Sequence, residues 1–209
     1  MSFDENAEDF TSIVLKYSME NFAYEKEYLD DSYYMDFIKV DIIEEDLRKE
    51  VGSCELIHYR FNEATKNRDG PPIDIADSHS QETYNYIFGL FSTRRGKQGV
   101  VKEKYRSNAS RDVLAISRFF INPEYRKTGV SKQVVESITR KYSTICGPIV
   151  VCPFPLQISA DKSLDCPEFS KDKDIAIKKV TLFWKSVGFR TKVIGTDNLI
   201  FDRSFIYKE

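Results

Sequence analysis

The sequence predicts a single α/β domain of 209 residues, in which helices pack against a central β-sheet. The segment Val113 to Ile121 (VLAISRFFI) is apolar on both faces, which is typical of a central strand. Apolar residues then recur at helical spacing over 129–142 and over 174–187. A chain of this length can bury one sizeable core, so one domain over residues 1–209 is the expected organisation.

The first half of the chain, residues 1–111, predicts fewer regular elements. Phe10 to Tyr24 has apolar residues near helical spacing and is predicted to be an amphipathic helix. Tyr33 to Ile43 and Cys54 to Phe61 alternate between apolar and polar residues, so both are predicted strands. A turn at Asn67–Pro72 precedes a second predicted helix from Asp77 to Phe91, which is capped by Asp77 or Ser78. Its predicted inward face holds Tyr84, Ile87, Phe88 and Phe91.

The segment 94–111 is strongly basic and is predicted to be a loop or a loose hairpin. Its basic residues stand against a single carboxylate, Glu103. Two interpretations remain open, a solvated surface loop and a contact surface for nucleic acid. The basic residues are Arg94, Arg95, Lys97, Lys102, Lys104, Arg106 and Arg111.

Composition excludes several classes of protein. The net charge is −2, but residues 1–50 carry 15 acidic and 5 basic residues, so the remainder is basic. This asymmetry fits either a charged partner or two solvated faces that attract each other. The four cysteines are far apart and form no CxxC pair, so neither a zinc cluster nor a disulfide framework is expected. Without an apolar run of the ~20 residues that a membrane helix needs, and with an acidic start, we expect a cytoplasmic protein.

The second half, residues 112–205, predicts a regular order of strand, turn, helix, strand, helix, strand and strand. The helix over 129–142 should bury Val130, Val134, Val135 and Ile138. A short strand over 148–152 ends at Pro153 and Pro155, and residues 156–172 are predicted to be an irregular insertion. The helix over 174–187 ends at Gly188, and a hairpin follows, with strands over 189–194 and 199–205 and a turn at 195–198.

Three segments in this half resemble the GNAT superfamily of N-acetyltransferases. The turn Arg126-Lys127-Thr128-Gly129-Val130-Ser131 is similar to the superfamily's pyrophosphate loop, with Ser131 where glycine or alanine is usual. Its lead-in, residues 119–126 (FFINPEYR), resembles a hydrophobic strand that ends in a Pro-Glu-Tyr-Arg run. Residues 182–189 (LFWKSVGF) are similar to the end of the superfamily's last helix.

The resemblance implies a GNAT fold, in which helices flank a mixed and mostly antiparallel sheet. It also implies that acetyl-CoA is the co-substrate, that no metal is needed, and that residues 1–111 form the acceptor side. A helix N-terminus attracts anions, and Gly129 lets the backbone approach a diphosphate. The pantetheine arm would pair with the main chain of Phe119 and Ile121 as an added strand does. The expected cofactor-binding residues are Phe119, Phe120, Ile121, Arg126, Lys127, Thr128, Gly129, Val130, Ser131 and Lys132.

The resemblance is weaker for catalysis. Trp184 stands where the superfamily often has a tyrosine that protonates the leaving thiolate, and an indole N–H cannot act as an acid. The strand over 113–121 has no carboxylate to serve as a base. Ser117, Arg118 and Trp184 are the candidate catalytic residues. Arg118 holds either the substrate or a structural carboxylate. Cys152 and His58 are further candidates by residue type, with a buried filler and a structural strand residue as their alternatives.

Three functions are therefore open. The first is an N-acetyltransferase whose acceptor is an amine of a small molecule or a protein. The second is a binding or inhibitory protein that keeps the scaffold without turnover and docks on a protein or a nucleic acid. The third is an enzyme similar to acyl-homoserine-lactone synthases, which have Glu-Ser-Arg-Phe on this strand where this chain has Ile116-Ser117-Arg118-Phe119. A homodimer is compatible with each.

Overall fold

The computed structural model describes residues 12–20, 31–92, 99–106, 108–155 and 172–206. Several predictions therefore lie outside the described residues. They are the two ends of the predicted first helix, the arginine-rich part of the basic segment at 93–98, and the predicted insertion at 156–171.

The core of the fold is a seven-stranded mixed sheet. Its order is β1-β2-β3-β4-β5-β7-β6, and β4 and β5 are the parallel pair while the other neighbours are antiparallel. The predicted α/β class, with helices flanking a mixed sheet, is thus confirmed. The strands are β1 (Ile13–Glu20), β2 (Met35–Glu44), β3 (Lys49–Tyr59), β4 (Val113–Ile121), β5 (Ile149–Val151), β6 (Phe189–Lys192) and β7 (Leu199–Phe201).

Five helices cover the two faces of the sheet within the described residues. One face packs on α4 (Val130–Tyr142) and α5 (Lys173–Ser186). The other packs on α1 (Phe61–Asn67), α2 (Pro72–His79) and α3 (Gln81–Ile87). We call the buried clusters on these two faces the α4/α5 core and the α1–α3 core. No helix in the described part of the chain has the length and apolar character needed to cross a bilayer.

The second half of the chain follows its predicted order of elements, but the last strand ends at Phe201, and residues 203–205, which were predicted to continue it, form a 3-10 turn. The strand over 113–121 is β4, and it lies between β3 and β5 in the sheet. The four residues expected to face inward from α4 are all buried, namely Val130, Val134, Val135 and Ile138. Gly188 follows α5 with a φ of 105°, which is the left-handed conformation that glycine supplies at the end of a helix.

The predicted helix over 10–24 is wrong where the structure describes it, because residues 13–20 form β1. This strand pairs with β2 along its whole length, from Ile13 opposite Glu44 to Glu20 opposite Phe37. Leu15 packs against the α4/α5 core, as do Ile13 and Tyr17 on either side of it. The intervening residues are exposed. The residues that face the core therefore recur every two positions, as in a strand, rather than at helical spacing. The pairing with β2 is what makes this segment a strand.

The predicted helix over 77–91 is two helices, α2 and α3, separated at Ser80. The side chain of Ser80 accepts from the N–H of Thr83, and the Thr83 hydroxyl accepts from the N–H of Ser80, so α3 begins with a capping box. Because α3 begins at Gln81, its buried face differs from the one predicted for a single helix. Tyr86 and Ile87 are buried, whereas Phe88, which was predicted to face inward, is exposed.

A polar cluster of Asp36, His58 and Arg60 lies near the start of β4. The Asp36 carboxylate accepts from Nε of Arg60 at 3.1 Å, and its other oxygen is 3.1 Å from Nδ1 of His58. Asp36 is 8% exposed, so these two side chains replace the water that a carboxylate would otherwise bind. The cluster joins β2 to the end of β3.

We predict that Asp36→Ala lowers the free energy of unfolding by about 2 kcal/mol, because it removes the buried carboxylate that pairs with both Arg60 and His58, while the half-buried Arg60 keeps its ion pair with Glu63. Urea unfolding followed by circular dichroism measures this. Glu136→Ala is the matched control, since the Lys132–Glu136 pair is exposed on α4 and its loss should cost less than about 1 kcal/mol. Equal effects of the two substitutions would contradict the structural role of the cluster.

Candidate functional site

The parallel pair β4 and β5 separates after three residue pairs. Leu114, Ala115 and Ile116 pair with residues 149–151, and β5 then ends before Pro153. Proline has no N–H group and cannot extend a hydrogen-bonded ladder. In the described part of the chain, residues 118–121 of β4 therefore have a strand partner on the β3 side alone.

A β-bulge at Ser117 marks the point of separation. Arg118 lies opposite Glu55 and Ile116 lies opposite Leu56, so Ser117 is an extra residue in β4. The Ser117 hydroxyl donates to the carbonyl oxygen of Glu55 at 3.1 Å. The Tyr86 hydroxyl donates to the carbonyl oxygen of Ser117 at 3.3 Å. We call the gap between Ser117 and Cys152, the first residues beyond the last strand pair, the apex.

A cleft of about 300 Å³ runs along this part of β4 on the face covered by α5. Its wall is mostly aromatic and aliphatic. The polar side chains among its described lining residues are Arg126, Lys179, Ser131, Ser117 and Cys152, so the lining contains two cations but no carboxylate and no histidine. The apolar lining residues are Ile116, Phe119, Phe120, Ile121, Val151, Phe154, Pro155, Ala176, Val180, Phe183 and Trp184.

The loop from β4 to α4 is anchored to the β2–β3 hairpin. Lys49 Nζ lies 2.6 Å from a carboxylate oxygen of Glu124, and the Tyr125 hydroxyl donates to Glu44 at 2.6 Å. The next residue, Arg126, donates from Nε to the carbonyl oxygen of Ile121 at 3.0 Å, and its guanidinium lies over the Phe120 ring. These contacts keep Arg126 at the edge of the cleft.

The N-terminus of α4 opens beside this loop. Its N-cap residue is Gly129, which has a φ of 88°, makes no side-chain cap hydrogen bond, and is followed by a first turn without acidic residues. A Cβ added to Gly129 would have no heavy atom of the described residues within 4 Å. Lys127 also has a positive φ, 65°. The first N–H groups of α4 thus have no acidic side chain in their own turn and no side-chain cap at Gly129, an arrangement that favours an anion.

The structure brings together most of the predicted cofactor-binding residues. Phe119, Phe120, Ile121, Arg126 and Ser131 line the cleft. Lys127, Thr128 and Gly129 form the loop just before α4, where the Thr128 hydroxyl donates to the carbonyl oxygen of Tyr125.

Two of the predicted cofactor-binding residues point elsewhere. The side chain of Val130 is fully buried in the α4/α5 core. Lys132 lies 3.7 Å from Glu136, one turn along the exposed face of α4. Neither side chain lines the cleft.

Of the predicted catalytic residues, Ser117 and Trp184 line the cleft and Arg118 does not. Trp184 is buried, and its ring packs on Phe119 with the centroids 5.6 Å apart. The Arg118 side chain is half exposed, and its Nε lies 3.5 Å from a carboxylate oxygen of Glu55. Arg118 thus has the cross-strand carboxylate partner that was the structural alternative for it.

His58 does not line the cleft. It lies opposite Leu114 in the sheet, two residues before the lining residue Ile116, which is about 7 Å along the strand. Its ring faces Tyr142, at the C-terminal end of α4. The buried cluster with Asp36 therefore gives His58 a structural environment rather than access to the cleft.

Cys152 reaches the cleft at the apex, but its thiol is held neutral. Burial raises the pKa of Cys152 above the ordinary value, and the negative charges of Asp197 and Glu82 raise it further. A nucleophilic cysteine needs the opposite shift. Its position therefore agrees with the buried filler that was the alternative to a nucleophile.

Two residues at the site were not predicted. Lys179 lines the cleft from α5, where its sequence position suggested an ordinary exposed lysine. Tyr86 reaches the apex from α3 on the other face of the sheet. Neither belongs to a motif, and the only sequence signal for Tyr86 would have been the capping box at Ser80, which sets the buried face of α3.

Comparison of the chain with protein-family models, curated proteins and solved structures finds no match. Among the described residues, no group of three or more histidine, cysteine or carboxylate side chains is arranged to hold a metal ion.

We predict that Cys152 is alkylated by iodoacetamide more slowly than free glutathione at pH 7.5, because its raised pKa lowers the thiolate fraction. The rate should increase as the pH rises above 9, since the thiolate is the reactive form. Mass spectrometry of the Cys152 peptide measures both rates. Faster alkylation than glutathione at pH 7.5 would instead mean an activated thiol.

Proposed function

We propose that this protein is an N-acyltransferase of the GNAT type that takes acetyl-CoA as donor and an amine of a small molecule or a protein as acceptor. One observation carries the proposal: the cleft runs from the N-terminus of α4 to the gap between β4 and β5 along a strand edge that has no strand partner among the described residues. Three parts of acetyl-CoA, namely the diphosphate, the pantetheine arm and the thioester, would match these three parts of the cleft.

The diphosphate would lie at the loop over 126–131. Gly129 leaves room for it, the first N–H groups of α4 donate to it, and Arg126 contributes a full positive charge. Lys179, on the opposite wall, adds a second cation. Because the described lining holds no carboxylate, no negative charge there opposes the phosphates.

The pantetheine arm would follow β4 beyond Ser117. On the side that β5 leaves open, this edge has no strand partner among the described residues, and an extended arm with two amides can pair with its main chain as an added strand does. The Ile121 carbonyl oxygen is the exception, because it already accepts from Arg126. Phe119, Phe183 and Trp184 form the adjacent wall, with the rings of Phe119 and Phe183 stacked at 6.1 Å. This wall excludes water from the arm and strengthens each hydrogen bond that the arm makes.

The thioester would then reach the apex, between Ser117 and Cys152. The described residues around it are neutral, so acid–base catalysis by a charged side chain of this cleft is not part of the proposal. Orientation of the two reactants supplies the rate acceleration instead. The amine would have to arrive deprotonated, which predicts a rate that increases with pH up to the pKa of the acceptor.

Gly129→Glu tests the diphosphate site. A carboxylate at the start of α4 would occupy the anion position, and we expect acetyl-CoA affinity to fall by about 100-fold, which corresponds to losing about 3 kcal/mol of charge-assisted hydrogen bonds. Isothermal titration calorimetry with acetyl-CoA measures this. The control is Gly70→Glu, because Gly70 also has a positive φ, 104°, and open space around it, but lies in the turn before α2. No binding by the unaltered protein at millimolar acetyl-CoA would refute the proposal.

Lys179→Ala tests the opposite wall. We expect about fivefold weaker acetyl-CoA binding, as for the loss of about 1 kcal/mol from one partly exposed ion pair, and a weaker dependence on salt. Lys178→Ala is the matched control, since Lys178 is the neighbouring exposed residue of α5 and does not line the cleft. Equal effects of the two substitutions would show that Lys179 acts through general charge alone.

A second candidate function is a protein that binds acyl-CoA without transferring the acyl group. The absence of a carboxylate and a histidine from the described lining favours it, as does the tryptophan at position 184. Release of free CoA thiol from acetyl-CoA, measured over a panel of small amines and lysine peptides, separates the two functions. Turnover above the spontaneous rate that Gly129→Glu abolishes supports the transferase, whereas tight binding without turnover supports the binding protein.

A further inference from the structure

Tyr86 lies behind the apex, on the face of the sheet opposite the cleft. It is 5% exposed and belongs to the α1–α3 core. Its hydroxyl donates to the carbonyl oxygen of Ser117, the bulge residue. Cys152, on the other side of the gap, packs against the same core. The Tyr86 hydroxyl thus lies beside Ser117, the residue at which β4 and β5 separate.

Among the described residues, no strand pair closes the sheet between Ser117 and Cys152. Successive residues of β5 face opposite sides, with Val150 in the α1–α3 core and Val151 in the α4/α5 core. Beyond Val151 no pair joins β5 to β4. Ser117 and Cys152 line the cleft on one face, and Tyr86 contacts the bulge from the other face.

The orientation of a bound acyl-CoA follows from the charge along the cleft, and this step rests on the proposed function. Arg126 and the N-terminus of α4 favour the phosphates beside the end of β4. The described lining at the apex carries no charge, and Ile116 and Val151 flank it. An acyl group would therefore point into the gap, toward Tyr86.

We propose that Tyr86 is a specificity-determining residue that closes the gap from behind and restricts the acyl group to a short one, of acetyl size. Its side chain is packed in the core and hydrogen-bonded to the bulge, so a longer chain would have to displace it. A closely packed protein interior does not accept additional methylene groups without strain. A smaller residue at position 86 would leave a pocket continuous with the cleft.

The test measures the affinities of two non-hydrolysable CoA thioethers, one with a two-carbon and one with a six-carbon acyl mimic. The readout is the ratio of their dissociation constants, determined by calorimetry for the unaltered protein and for Tyr86→Ala. We expect the unaltered protein to favour the short mimic. In Tyr86→Ala the ratio should move toward the long mimic by about tenfold or more, because several methylene groups become buried.

Three further variants make the result specific. Tyr86→Leu is a less disruptive substitution that also shortens the side chain, and it replaces Tyr86→Ala if that variant does not fold. Tyr86→Phe keeps the ring and should leave the ratio unchanged. Tyr59→Ala is the matched control: Tyr59 is buried in the same core and donates to the carbonyl oxygen of Thr83, but it lies opposite Val113, at the other end of β4.

The outcomes separate this inference from the proposed function. If neither CoA nor the short mimic binds, the proposed function fails and the inference fails with it. If both bind but the shortened Tyr86 variants keep the ratio of the unaltered protein, the inference alone is overturned. It is also overturned if Tyr59→Ala moves the ratio as far as Tyr86→Ala does. A shift confined to the shortened Tyr86 variants supports it.

Discussion

The end of β5 before Pro153 is the constraint on which the rest of the site depends. A proline there cannot donate to β4, so the parallel pair stops at Ile116 and Val151. The edge of β4 beyond that point is left without β5, and α5 covers it with aromatic and aliphatic side chains to form the cleft. The missing N–H group of Pro153 thus leaves a cleft beside β4. The hydrophobic core stays intact, because β3 continues to pair with β4 on the other side.

The sequence predicted the parts of this site that depend on local chemistry. The continuous apolar run of β4, the glycine before α4 and the prolines after β5 each have a conformational consequence that holds in nearly any fold. The segment that forms β1 was predicted to be a helix, because its apolar residues also fit helical spacing. Its pairing with β2, which the sequence does not show, makes it a strand. The sequence missed Lys179 and Tyr86, because whether either faces the site depends on how its helix is rotated against the sheet, which is set by tertiary packing.

The charges of the site are separated along the cleft. Arg126 and the first N–H groups of α4 lie at one end of the cleft, whereas the described groups at the apex are neutral: the Ser117 and Tyr86 hydroxyls and the Cys152 thiol, whose pKa is raised by burial. Under the proposed function, such a site would bind an anionic carrier by one end and keep its uncharged end away from water. It provides strong positioning and little acid–base chemistry, so any reaction that it accelerates must need orientation more than proton transfer.

The bulge at Ser117 links the two halves of the chain, and this limits how independent their roles can be. Its hydroxyl is bonded to Glu55 of β3 and its carbonyl oxygen to Tyr86 of α3, both from the first half. The bulge redirects β4 at the point where the cleft begins, since an extra residue bends and twists a strand. Residues of the first half therefore contribute to the cleft. They hold the geometry of β4 where the cleft begins, so a change in α3 would alter the cleft without touching any residue of the loop at 126–131.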